Sequence, residues 1–400
     1  MCNAKNFIYI CTLKIIQNKM KNLINKIAEL GRHNRSMPHL RDVELFKEYF
    51  DSRGNLKKSE LDNTDASNCT RRELLLRYLL LNAVLDQGPD MEGVRELLTR
   101  TINELYKKEI RVLHTPELFF GAIGNAIEYI DNFHAAIKTA REATWQANNN
   151  SKKHYNLFMD GCSQTLSYAI FRWGTPLAVP LALKKDNHDE TQLLLNYLQS
   201  FKSAEIMSQE LKDNKKYGLG KAIGDKASHL FAKWMVYTFE LTTKTTENWG
   251  QYSYEIPFDS NAGRVLFRTG FFFHYITEAQ LIADQVIQKD AGKGGKHYIR
   301  VTNSRGKKIV NNQLDIDLEK YKELTKNHLK QARRNVLFQL APIALIFEER
   351  TYSVGELDDG LMYIGTNFCF NTDTPKCDEC PLKDYCKATK DRNLITQYAT

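Results

Sequence analysis

Three observations predict a mainly α-helical protein with a small β insertion and a metal-holding loop near its C-terminal end. From Arg71 onward the pattern is helical, opening with the strongly apolar, Leu-rich run Arg71–Leu85. Strand-like alternation is confined to one basic stretch around Tyr298–Val301. Four of the eight cysteines crowd into the last thirty-two residues. A chain of 400 residues that is 42% hydrophobic and 26% charged can bury one or two ordinary cores without covalent staples. Its apolar runs stay far short of the ~18–20 residues of a membrane helix, since even Phe7–Leu13 is cut off by Lys14. A secretory signal and a membrane span are therefore not expected, and the cysteines read as reduced thiols or metal ligands.

Taken in order, residues 1–40 are rich in Lys and Asn, contain a second methionine at Met20, and read as an N-terminal extension. The Leu-rich run Arg71–Leu85 is stopped by Asp86-Gln87-Gly88-Pro89-Asp90, where a proline and a glycine between acids break the helix. Further helices are predicted at Met91–Lys107, Pro116–Ala140, Tyr155–Phe171, Glu190–Leu211 and Asp225–Phe239. The last of these carries Ala227, Leu230, Phe231, Trp234 and Thr238 as a buried stripe. The expected domains are the extension, a helical core over 41–275, a basic insertion over 276–335, and a C-terminal helix with the cysteine loop over 336–400. No repeat of fixed period is present.

The net charge of +8 is unevenly spread. Between Lys289 and Lys308, Lys289, Lys293, Lys296, Arg300, Arg305, Lys307 and Lys308 face one acid, Asp290. Four glycines in this segment and the alternation at Tyr298–Val301 predict a glycine-rich loop followed by a short hairpin. Such a block either contacts phosphates or stays solvated.

The cysteine spacing is Cys369-x7-Cys377-x2-Cys380-x5-Cys386. Four thiolates in so short a loop need a cation, and tetrahedral sulfur ligation leaves zinc or a [4Fe-4S] cluster. Zinc sites usually pair two short knuckles, whereas one Cys-x2-Cys with longer, unequal arms suits the larger cluster. Cys2, Cys11, Cys69 and Cys162 are scattered and read as small apolar residues.

The run Pro375-Lys376-Cys377-x2-Cys380-Pro381-Leu382-x-Asp384-x-Cys386 resembles the cluster loop that closes endonuclease III and the adenine glycosylases. These belong to the helix-hairpin-helix DNA glycosylase superfamily. The resemblance implies a two-domain helix-hairpin-helix fold whose [4Fe-4S] cluster is held by Cys369, Cys377, Cys380 and Cys386. Members usually place six residues between the first two cysteines, where this chain has seven.

Two upstream segments resemble the rest of the machinery. Gly218–Ala227 is similar to the DNA-contacting hairpin, with Gly220 and Gly224 letting backbone N–H groups approach a phosphate. Lys221 and Ala222 stand where many members have Pro and Gly. Lys226 falls where bifunctional members carry the catalytic lysine, just after Asp225 as N-cap. A Schiff-base nucleophile must be a neutral amine, and the positive end of a helix disfavours added charge. Read without the family, Lys226 is one phosphate contact in a Lys-rich region.

Pro257–Val265 resembles the segment carrying the catalytic aspartate, which makes Asp259 the residue that would stabilise positive charge on the sugar. By itself it reads as a helix N-cap. Asp259 follows Lys226 by 33 positions, roughly twice the endonuclease III interval, and Thr242–Tyr254 reads as an inserted loop. Archaeal 8-oxoguanine glycosylases look similar in that respect. Gln87, in the helix break, matches the glutamine that fills the gap left by an extruded base.

The resemblance covers Arg71–Phe273 and Gly355–Lys387. It implies a partner in double-stranded DNA with a damaged or modified base, and a cytoplasmic, nucleoid-associated monomer is expected. The basic segment lies outside the resemblance, and its charge alone offers Lys293, Lys296, Arg300, Lys307 and Lys308 as further phosphate contacts. The implied activity is a DNA glycosylase with AP lyase chemistry. The alternatives are a monofunctional glycosylase in which Asp259 activates water, and a non-catalytic damage-sensing iron-sulfur protein.

Overall fold

The computed structural model describes residues 4–65, 68–86, 91–119, 173–186, 191–220, 224–274, 287–291, 297–301, 342–343, 345–346, 350–370, 372 and 374–396. Within them the chain is mainly helical, and no helix is long and apolar enough to cross a membrane. The helices that matter below are α1 (Ala4–His33), α2 (Arg71–Leu85), α3 (Met91–Lys107), α4 (Thr175–Asp186), α5 (Leu193–Gln199), α6 (Ala204–Asp213), α7 (Asp225–Lys233), α8 (Ser260–Arg268) and α9 (Val354–Asn367). Two strands, β1 (Ile287–Ala291) and β2 (His297–Val301), pair antiparallel with Lys289 opposite Ile299. The glycine-rich residues 292–296 thus fall between the strands, rather than ahead of the hairpin as expected, and lie outside the described residues.

The chain divides into two compact units, residues 37–249 and residues 1–36 with 250–400. This differs from the expected boundaries in two respects. Residues 1–40 are not an appendage, because α1 packs along α9 and buries Leu23, Ile24, Ile27 and Ala28 completely. Residues 250–275, expected in the central core, belong with the chain ends. The sequence hid the first point because the polar 1–40 composition masks a helix whose apolar face is only one side wide.

In the 37–249 unit, α2 is the central element, with every residue but Arg71 buried. Thr70 caps it, its hydroxyl accepting from the Glu73 amide at 3.2 Å. α2 packs against α4, α5 and α7. A helix buried on all sides cannot be amphipathic, which is why its Leu run shows no clear stripe.

Glu73, fully buried in α2, accepts from Arg77 Nε at 2.8 Å and from the Leu194 and Leu195 amides, each at 3.0 Å. Its carboxylate therefore satisfies orphan N–H groups at the start of α5. Glu73→Ala should lower unfolding stability by about 3–5 kcal/mol, because it strands Arg77 and two buried amides. Urea denaturation measures this loss, and a change below about 1 kcal/mol would contradict the role.

The single helix expected over Glu190–Leu211 is two, broken where Ser203 caps α6 by accepting from Ile206 N at 3.2 Å. α7 runs as predicted and continues into a wider π turn over Trp234–Thr238. The helices predicted over Pro116–Ala140 and Tyr155–Phe171 fall outside the described residues beyond Phe119.

In the second unit, α1 and α9 cross closely. A side chain at Gly31 or Gly360 would run into the facing main chain of Glu356 or Ile27. Arg32 at the end of α1 donates from Nε to Glu356 Oε1 at 2.6 Å, and Glu356 also completes a capping box with Ser353. Gly360→Val should force the helices apart at a cost of about 1–3 kcal/mol or more. Thermal denaturation reads this, and an unchanged melting temperature would refute the close crossing.

Candidate functional site

The turn joining α6 to α7 is built by backbone geometry. The Leu219 amide donates to Leu211 O at 2.6 Å and the Gly220 amide to Asn214 O at 3.0 Å. Asn214 Oδ1 accepts from the Lys216 and Tyr217 amides, both at 2.9 Å. Gly220 has φ +58°, a left-handed conformation that suits glycine. At Gly218 a side chain would meet the Leu211 and Asn214 carbonyls. Gly224, not Asp225, is the N-cap of α7, with extended backbone, and among the described residues nothing lies within 4 Å of where a side chain would begin. Asp225 is the first helical residue and its carboxylate takes Lys212 Nζ at 2.5 Å. Residues 221–223 lie outside the described residues.

Lys226, half-buried in the first turn of α7, donates from Nζ to the main-chain carbonyl of Asp86 at 3.2 Å. Asp86 closes α2 and is itself fully buried, its Oδ2 accepting from Arg95 Nη2 at 3.0 Å. Arg95 in turn lies over the Trp234 ring, 5.4 Å from its centroid. The amine is thus anchored on a rigid piece of core rather than on a surface loop. Gln87, the next residue, lies outside the described residues. Trp173, Trp234, Phe271 and Phe272 are core residues, all fully buried.

Asp259 belongs to the other unit and caps α8. Its Oδ1 accepts from the Asn261 amide at 2.8 Å and the Ala262 amide at 3.0 Å. One turn on, Arg264 donates from Nη2 to Asn261 Oδ1 at 2.5 Å and to Gly365 O at 3.1 Å, and from Nε to the Cys369 carbonyl. A chain of contacts therefore runs from the Asp259 cap to the first of the clustered cysteines. Sequence reasoning missed Arg264 and Arg268 here. Both are at most 3% exposed, and no sequence signal separates a buried arginine from a solvated one.

Cys369, Cys377, Cys380 and Cys386 line one cavity, walled by Val265, Ile364, Phe368, Leu382 and Ala388. Burial pushes the thiols up, Cys380 to about 11 and Cys386 to about 12, and Cys377 in the same direction. Such thiols become thiolates readily only when a cation joins them. Four sulfur donors round one cavity are a set that zinc or an iron-sulfur cluster can take.

Comparison with known proteins bears on this loop. Residues 374–386 match the family model described as the iron-sulfur binding domain of endonuclease III. The match holds Cys377, Cys380 and Cys386 and stops short of Cys369. No curated protein and no solved structure matches the chain.

Of the remaining residues singled out by sequence, Arg300 sits in β2, which runs alongside α8. Lys293, Lys296, Lys307 and Lys308 lie outside the described residues. On the cysteine loop, Lys387 stacks its ammonium over the Phe273 ring at 4.2 Å, and Lys376 pairs with Glu379 at 3.6 Å while remaining half exposed.

Proposed function

We propose that this protein is a helix-hairpin-helix DNA glycosylase, similar to endonuclease III, that removes a damaged or modified base and cleaves the strand through a lysine Schiff base. The observation that carries this reading is the match of residues 374–386 to the endonuclease III iron-sulfur domain, on a loop whose four cysteines line one cavity. The α6–turn–α7 unit supports it, since the left-handed Gly220 and a Gly224 with no described neighbour beside its missing side chain suit a backbone that approaches phosphate.

The cysteines hold a [4Fe-4S] cluster, which gives the loop its fold and does no chemistry on the substrate. The chain's own residues do the rest. A target base is turned out of the duplex, at a cost of a few kcal/mol that damage or mispairing lowers. Lys226, having given up a proton, attacks the sugar C1′ with its nitrogen lone pair, and the base leaves with the electrons of the glycosidic bond. Asp259 stabilises the positive charge that develops on the sugar as that bond breaks. Loss of a second proton from nitrogen and opening of the sugar ring give an imine. Removal of a C2′ proton then expels the 3′ phosphate by β-elimination. Phosphate contacts from the turn, the basic hairpin and the cysteine loop position the duplex, so binding should weaken steeply with salt.

Incubating the anaerobically purified holoprotein with duplexes that each carry one lesion tests this reading. Mass analysis of the released small molecules should show one free base and a matching β-elimination product. No base released from any lesion, with salt-sensitive duplex binding intact, would make the protein a damage-sensing module instead.

A further inference from the structure

We propose that Arg268 is the positioning residue that makes Cys369 the fourth ligand of the iron-sulfur cluster. The inference rests on the cluster reading above and concerns how this chain completes it. Cys377, Cys380 and Cys386 are linked by successive turns, with Cys380 N on Cys377 O, Lys383 N on Cys380 O and Cys386 N on Lys383 O at 3.0–3.3 Å. Cys369 stands apart from that ladder. Its amide hangs from the end of α9, bonded to Ile364 O at 2.8 Å, and seven residues separate it from Cys377. The iron-sulfur domain match leaves it out.

Arg268 spans the gap. Its Nη1 lies 3.6 Å from Cys369 Sγ and donates to Phe370 O at 2.6 Å. Its Nη2 donates to Thr372 O at 2.9 Å and Ile395 O at 3.3 Å. Its own carbonyl accepts from Cys386 Sγ at 3.3 Å. One side chain thus grips the long arm at three points, while its main chain touches the last cysteine.

The charge balance points to a ligand. Arg268 is 1% exposed, makes no ion pair with a carboxylate among the described residues, and keeps its Nε without a partner. A buried guanidinium satisfied only by carbonyls and a sulfur is costly unless negative charge lies beside it. A thiolate-bound cluster supplies that charge at Cys369, and the guanidinium then orients the thiolate that receives it. An N–H bond to a cluster sulfur and a fixed positive charge also favour the more negative, reduced state, so Arg268 raises the reduction potential.

The test compares anaerobically purified wild type, Arg268→Gln, Arg268→Lys, Cys369→Ser and the double variant Arg268→Gln/Cys369→Ser. Iron per chain, EPR spectra after mild oxidation, iron release to a chelator and midpoint potential are measured, with circular dichroism as the check on folding. In Arg268→Gln the cluster should release iron about ten- to a hundredfold faster. It should also show the three-iron EPR signal that Cys369→Ser shows, and a lower potential. Arg268→Lys, which keeps the charge, should stay close to wild type in potential. The double variant should be no worse than Cys369→Ser, because the arginine acts through that cysteine. A folded Arg268→Gln with wild-type iron release and EPR would overturn the inference. So would losses in the double variant that add, the mark of a merely structural arginine. If wild type holds no iron, the cluster reading itself fails and this inference falls with it.

Discussion

Lys226→Gln is expected to bind a lesion duplex as wild type does and to form no covalent intermediate. Strand cleavage should fall by more than about a thousandfold, since no other group supplies the imine. The core that seats Lys226 is not at risk. The buried Asp86–Arg95 pair at 3.0 Å stays in place, and the substitution removes one donor to the Asp86 carbonyl. Gel shift and denaturing electrophoresis on the same duplex measure the two properties together. Base release that survives in Lys226→Gln would make the enzyme monofunctional, with Asp259 activating water and Lys226 serving only to bind.

Asp259→Asn should lower base release by about 10²–10⁴-fold while leaving DNA affinity and melting temperature nearly unchanged. The substitution separates two roles of one residue. As the cap of α8, Asp259 accepts from the Asn261 and Ala262 amides through Oδ1, and asparagine caps a helix as well as aspartate does. What asparagine lacks is the negative charge that, in the proposed mechanism, faces a developing cation. Single-turnover kinetics beside thermal denaturation distinguish these. A variant that melts early and loses activity in proportion would reduce Asp259 to its capping role.

The sequence was most legible where one local signal is enough. Arg71–Leu85 begins and ends where its Thr70 cap and the Asp86 break place it, and Met91–Lys107 is likewise a helix. The four cysteines announced a metal loop by spacing alone, and they line one cavity. The sequence was least legible where distant segments meet. Nothing in the Lys- and Asn-rich start shows that Gly31 must face Gly360 across the chain, nor that residues 250–275 leave the central core to join the chain ends. Pairings of that kind depend on matched shapes more than three hundred residues apart, and no periodicity encodes them. The arginines of α8 were unreadable for a related reason. A buried Arg and a solvated Arg look alike in a sequence, and only the carbonyls of Cys369, Phe370 and Thr372 tell them apart. The Glu190–Leu211 break was missed because Ser203 acts as a cap there, a role that serine in the middle of an apolar pattern does not advertise.

Borohydride reduction of the holoprotein on lesion-bearing duplexes, followed by peptide mass mapping of the trapped complex, tests the proposed chemistry most directly. A sugar adduct on the peptide containing Lys226, formed with the same duplex that yields free base, is the expected result. An adduct on a different residue, or base release with no adduct at any lesion, would contradict a lysine Schiff base at Lys226.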